Sequence, residues 1–207
     1  MSEQVELTNP VDLSVGGMSG HIFRRGFHLA MCLIPILYFE FGMDVADALG
    51  MSLSEVVAGF VIVAAVGEAI RLKLGFTVFG QREYESKQVS ALAWGALAIG
   101  MVLLITPSKE YAYPLIFSLT FGDPFMGELR RRGIESDKVI LYACILVLGI
   151  WLACWNVFGT PLLVCLIVAP IAVLSEIPRL RYIDDNATML LIPLAVVVTL
   201  EPFFGVL

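Results

Sequence analysis

The side chains able to do chemistry in this chain are few and stand at the edges of apolar stretches. Asp123 lies between Gly122 and Pro124 inside the hydrophobic segment 111–129, and Glu176, Asp184 and Asp185 follow within ten residues of one another. An ionisable group in an apolar segment is costly unless it is paired or used. Carboxylates are also the donors that a hard cation such as magnesium prefers, and magnesium arrives with nucleotide phosphates. Arg24 and Arg25 precede His28 by four and three positions, which brings the three side chains together on the opening turns of a helix. Arg130, Arg131, Arg132 and Lys138 form a second basic group. A histidine moves protons near neutral pH, and guanidinium groups neutralise phosphate.

Each motif also has an ordinary structural use. Arginines before an apolar helix anchor it to headgroups. Asp123 followed by Pro124 is a normal start for a short helix, and Asp184 with Asp185 favours the positive end of a helix dipole. Glu68 and Arg71, three residues apart, read as a structural ion pair.

The elements that must position these groups follow from composition. The 207 residues are 58% hydrophobic and 15% charged, with a mean hydropathy of +0.87, whereas soluble domains carry about 25% charged residues. An all-α polytopic bundle in a membrane is the expected fold, with about seven spans over 26–42, 53–70, 89–106, 111–129, 139–158, 161–175 and 187–204. Residues 1–22 form a polar amino-terminal segment and 23–207 a single transmembrane helical domain, with no separate soluble catalytic domain. In the fourth segment the apolar run 111–121 rises only about 16 Å as helix, against a core of about 30 Å. A broken or partly re-entrant helix at Gly122-Asp123-Pro124 is therefore expected.

Twelve of the thirteen basic residues, all but Lys109, fall on one side of this arrangement. The positive-inside rule makes that side cytoplasmic, together with the amino terminus. Asp123, Glu128, Glu176, Asp184 and Asp185 share that side with Arg24, Arg25 and His28. An anionic, water-soluble reactant is thus expected at the cytoplasmic face and an apolar one from the lipid.

Other classes are excluded or disfavoured. A net charge of −6 argues against nucleic acid as a partner. Cys32, Cys144, Cys154 and Cys165 all lie in apolar stretches, without the spacing of a disulfide framework or zinc site. No phosphate loop of the GxxxxGK[ST] type occurs, and the sequon Asn186-Ala187-Thr188 falls on the inner side.

Taken together, these pieces resemble the dolichol kinase and phytol kinase family of CTP-dependent polyprenol kinases, relatives of the phosphatidate cytidylyltransferases. The resemblance runs from about Arg24 to Pro193. It is carried by Arg24, Arg25 and His28, by Glu68 with Arg71, by the run from Glu85 to Trp94, by Phe121-Gly122-Asp123-Pro124 with its basic run, and by Glu176 leading to Asp184-Asp185-Asn186. It implies an enzyme that uses CTP, with Mg2+, to phosphorylate the hydroxyl of a long isoprenoid alcohol. On that basis Asp123 holds the metal or orients the hydroxyl, Asp184 and Asp185 complete the metal site, and Glu176 is a further catalytic candidate. Arg24, Arg25, Arg130, Arg131 and Lys138 take the phosphates, and His28 polarises or deprotonates the alcohol. The family's Lys-Ser…Glu-Gly stretch after the acid is absent. Either the arginines and Lys138 replace it, or the chain uses another donor or none. A synthase of CDP-lipids and a transporter or non-catalytic membrane protein are the alternatives.

Overall fold

Helix punctuation in the sequence accounts for most of the element boundaries. The computed structural model describes residues 14–178, 180 and 182–203, so Arg179 and Arg181, two of the basic residues in the sidedness count, lie outside the described residues, as does most of the 1–22 segment. Gly17–Ala30 forms α1 and Leu33–Leu49 forms α2. Leu53–Leu74 forms α3, which opens with Ser52 and Glu55 capping each other's backbone amides and closes at Gly75, whose φ of 68° a side chain would strain. A 3-10 turn at Glu83–Lys87 precedes α4, Ala91–Ile105, which Ser90 caps through the amide of Ala93. Then come α5 (Lys109–Arg131), α6 (Ser136–Phe158), α7 (Leu162–Leu174) and α8 (Asp185–Leu200). Among the described residues there is no strand, only an isolated bridge between Ser14 and Arg82.

Two expectations need correction. The first expected span is two helices, α1 and α2, meeting at 45°. Pro35 has no N–H to offer the carbonyl of Met31, which instead accepts from the amide of Ile34 at 3.0 Å; a proline in the first turn begins a new helix more readily than it continues an old one. Conversely, α5 runs unbroken through Gly122, Asp123 and Pro124, as 23 residues of helix about 34 Å long. Neither the expected break nor a short helix capped by Asp123 is present.

The reason α5 tolerates polar residues and two prolines is enclosure. It packs against α1, α2, α4, α6, α7 and α8, and most of the stretch from Tyr111 to Gly122 is buried. Pro114 leaves the carbonyl of Glu110 without its helical partner, and Thr160 Oγ1 donates to that carbonyl at 2.6 Å. The buried indole of Trp151 on α6 likewise donates to Ser118 on α5 at 2.8 Å.

Around this axis the outer helices are apolar outward. Among the described residues, three segments, Leu53–Leu74, Ser136–Phe158 and Asp185–Phe203, are long and apolar enough to cross a membrane, or four if the bent pair counts as one span. On α3, Phe60 and Val63 are 71% and 70% exposed, and Ile62, Val66 and Ile70 are exposed with them. Water would oppose such a surface; lipid suits it. The shorter α4 and α7 are apolar too. The fold is that of an all-helical membrane protein.

Candidate functional site

Cross-helix polar contacts concentrate at one end of the bundle. There the middle of α1, the carboxyl-terminal end of α5, the residues after α7 and the start of α8 converge with a strap, residues 75–90, that links α3 to α4.

The strap is tied down from both sides. Arg71, 5% exposed at the end of α3, donates to both oxygens of Glu68 at 2.8 and 2.7 Å, to the Phe76 carbonyl at 2.8 Å and to the Gln88 carbonyl at 2.9 Å. Glu68 in turn accepts from the Ser90 amide at 2.6 Å. Expected as a structural pair, Glu68 and Arg71 fasten both ends of the strap. On the other side, Val15 exchanges backbone hydrogen bonds with Gln81 and Gly80. Gly80, at a φ of 86°, lies so close to α1 that an added Cβ would come within 3.1 Å of the Gly20 carbonyl oxygen.

This anchoring sets the partners of α1. Arg24 donates to Glu85 Oε1 of the strap at 2.8 Å, Arg25 pairs with Glu128 of α5, and His28 turns Nδ1 to Asp123 Oδ2 at 3.4 Å. The helical spacing of the three residues therefore spreads them over two neighbouring elements. Glu128 also accepts from Arg131 and Arg132, so three guanidinium groups share one carboxylate.

The carboxylates divide differently from expectation. One oxygen each of Asp123, Glu176 and Asp185 lie within 4.8 Å of one another. Carboxylate oxygens are the donors a hard cation prefers, and three from different elements at this separation could hold one. Asp184 instead caps α8, accepting from the Asn186 amide at 3.1 Å, and Asn186 Nδ2 donates to the Ala91 carbonyl at 3.0 Å, joining the starts of α8 and α4. The three acids of this group thus come from α5, the residues after α7 and the first residue of α8. Glu176, expected in a catalytic role, is one of them.

Desolvation of Asp184, then the charge of Asp185 beside it, raises the Asp184 pKa well above the ordinary aspartate value. The strap's Arg82 donates to Tyr84 Oη at 2.6 Å and lies over the Tyr84 ring. Burial works against its charge, but Tyr84, Asp185 and Asp184 outweigh burial and raise its pKa.

Of the expected phosphate ligands, Arg24, Arg25, Arg130 and Arg131 all gather at this end, each paired with a carboxylate; Arg130 holds both oxygens of Glu176. Lys138 is 58% exposed and pairs with Glu135 one turn away on its own segment. Three residues gain roles that the sequence did not assign: Glu85 and Arg82 on the strap, and Glu128 within α5. Glu85 is 2% exposed although it sits among the charges of Glu83 to Lys87, and the only sequence sign of its importance is its place in the run ending at Trp94. His28 Nε2, Glu85 Oε2 and Thr120 Oγ1 are buried with no hydrogen-bond partner.

No family model, curated protein or solved structure matches this chain.

Proposed function

We infer that the protein is a phosphotransferase that uses CTP, with Mg2+, to phosphorylate the hydroxyl of a long-chain isoprenoid alcohol at the cytoplasmic face of a membrane crossed about seven times, its amino terminus inside. The observation that carries this reading is the meeting of Asp123, Glu176 and Asp185 within 4.8 Å at the arginine-rich end of an otherwise apolar bundle. Such an end suits a reaction between a polyanion from water and an alcohol whose tail stays in lipid. Sidedness is supported by the distribution of basic residues, twelve of thirteen on the side of the acids.

Phosphoryl transfer is chiefly positioning and charge neutralisation. Arg24, Arg25, Arg130 and Arg131 would exchange their carboxylate partners for the triphosphate. A magnesium ion bound by Asp123, Glu176 and Asp185 would supply further neutralisation at the phosphates. Asp123, which faces both His28 and the other two acids, would orient the hydroxyl. The hydroxyl oxygen bonds to the γ-phosphorus as the bond from that phosphorus to the β–γ bridging oxygen breaks. CDP leaves with the electron pair, and the proton passes to the Asp123 and His28 pair.

The test incubates the purified protein with γ-labelled CTP, magnesium and a panel of polyprenol, geranylgeraniol, phytol and diacylglycerol. Label in extracted lipid, lost in Asp123→Asn, is the expected result. Label from base-labelled CTP in the lipid instead would assign a CDP-lipid synthase, and no transfer of either label would refute the enzymatic reading.

A further inference from the structure

Arg130 and Glu176 bear on how the acid trio is filled. Glu176 Oε1 and Oε2 accept from two nitrogens of Arg130 at once, so neither oxygen of this acid is free of the guanidinium. The pair is lopsided: the Glu176 side chain is 6% exposed and that of Arg130 is 43% exposed. The acid is fixed in the wall, whereas the base reaches it from the open side. Arg24 and Arg25 are paired with Glu85 and Glu128, outside the trio. Among the described residues, Arg130 is the arginine joined to a trio acid by an ion pair. The charges of Asp123 and Asp185 also help hold it protonated. Nearby, His28 is 5% exposed, with Nδ1 at 3.4 Å from Asp123.

Three carboxylates this close repel one another; Arg24 and Arg82 stand near enough to act on them, and Arg130 is the arginine in direct contact with one of their oxygens. A divalent cation arriving alone meets that guanidinium and is repelled by it. A cation arriving with phosphate brings an anion that a planar guanidinium binds as well as it binds a carboxylate. We propose that Arg130 is a resident counter-ion that occupies Glu176 until a phosphate draws it away, so that metal and nucleotide fill the site together and not singly. This rests on the metal and nucleotide reading above, and gives Arg130 two partners in turn, Glu176 before the ligands arrive and phosphate after. Because coupling is reciprocal, each ligand tightens the other.

A merely supportive Arg130 predicts the opposite sign in one measurement, the binding of Mn2+ alone, read by electron paramagnetic resonance of the free ion. Arg130→Met should bind Mn2+ more tightly than the native protein, by at least about fivefold, the lower end of coupling between linked sites. The same variant should bind the Mn2+ complex of CTP more weakly by a similar factor. Arg130→Lys keeps the charge without the two-pronged contact and should shift both affinities in the same directions by less; it decides the matter if Arg130→Met does not fold. Unchanged or weaker Mn2+ binding in both variants, with clear binding to the native protein, would overturn the proposal and leave the metal site standing. Absence of Mn2+ from every form, with or without CTP, would overturn both.

Discussion

Replacing Arg71 with methionine should both destabilise the protein and loosen its site, by a route that the contacts specify. The guanidinium makes four hydrogen bonds, two to Glu68 and one each to the carbonyls of Phe76 and Gln88. Methionine fills similar volume but leaves the Glu68 carboxylate, whose side chain is 10% exposed, without its cation. Removing one partner of a buried ion pair costs about 3–5 kcal/mol; Phe76 is exposed, so water replaces the guanidinium at its carbonyl and the ion pair sets the magnitude. The Ser90 amide, which donates to Glu68 at 2.6 Å, loses a well-held acceptor, so both ends of the strap are released. Thermal unfolding in detergent reads the first effect and limited proteolysis between residues 75 and 90 reads the second. The double variant Glu68→Gln, Arg71→Met should lose less than the sum of the single losses, because no uncompensated charge remains. A loss below about 1 kcal/mol in Arg71→Met, with the strap as protease-resistant as before, would refute the view that this pair fastens it.

Further consequences can be checked separately. Asp123→Asn should lower lipid phosphorylation by roughly 10²- to 10⁴-fold if Asp123 orients and helps deprotonate the hydroxyl, with the unfolding temperature little changed; near-native turnover would remove it from the mechanism. Thr160→Val should cost about 1–3 kcal/mol by stranding the Glu110 carbonyl, and the loss should shrink in a Pro114→Ala background, where an amide at position 114 returns to that carbonyl. Because the folded-state pKa of Asp184 is raised, the folded protein holds a proton that the unfolded chain releases, so its contribution to stability is full below the ordinary aspartate range and is lost as pH rises through the raised value. Asp184→Asn should therefore flatten the decline of unfolding temperature with rising pH, and an unchanged slope would count against it.

The amino-acid sequence by itself determined the solvent and the class of element. Apolar runs of span length between clusters of arginine point to helices, since backbone in lipid must satisfy its own hydrogen bonds; Ser52, Ser90 and Asp184 mark helix starts through their side chains, and Gly75 a helix end through its backbone freedom. The same patterns pointed to Asp123, His28, Glu176 and the arginines, because an ionisable residue beside an apolar run stands out. Tertiary structure decided what local pattern does not contain. Enclosure by six helices keeps α5 continuous where Gly122-Asp123-Pro124 suggests a break, and Pro35 turns one apolar run into two helices because its missing amide outweighs the continuity of hydrophobicity. Which acids meet was likewise undetermined: adjacent in sequence, Asp184 and Asp185 point to different tasks, one capping α8 and the other joining Asp123 and Glu176. Glu85 had no role of its own in the sequence, and it is the strap folding back that buries it against Arg24. Pairings across 46 to 103 residues, such as Arg130 with Glu176 and Arg25 with Glu128, depend on how helices pack, and no local periodicity records that.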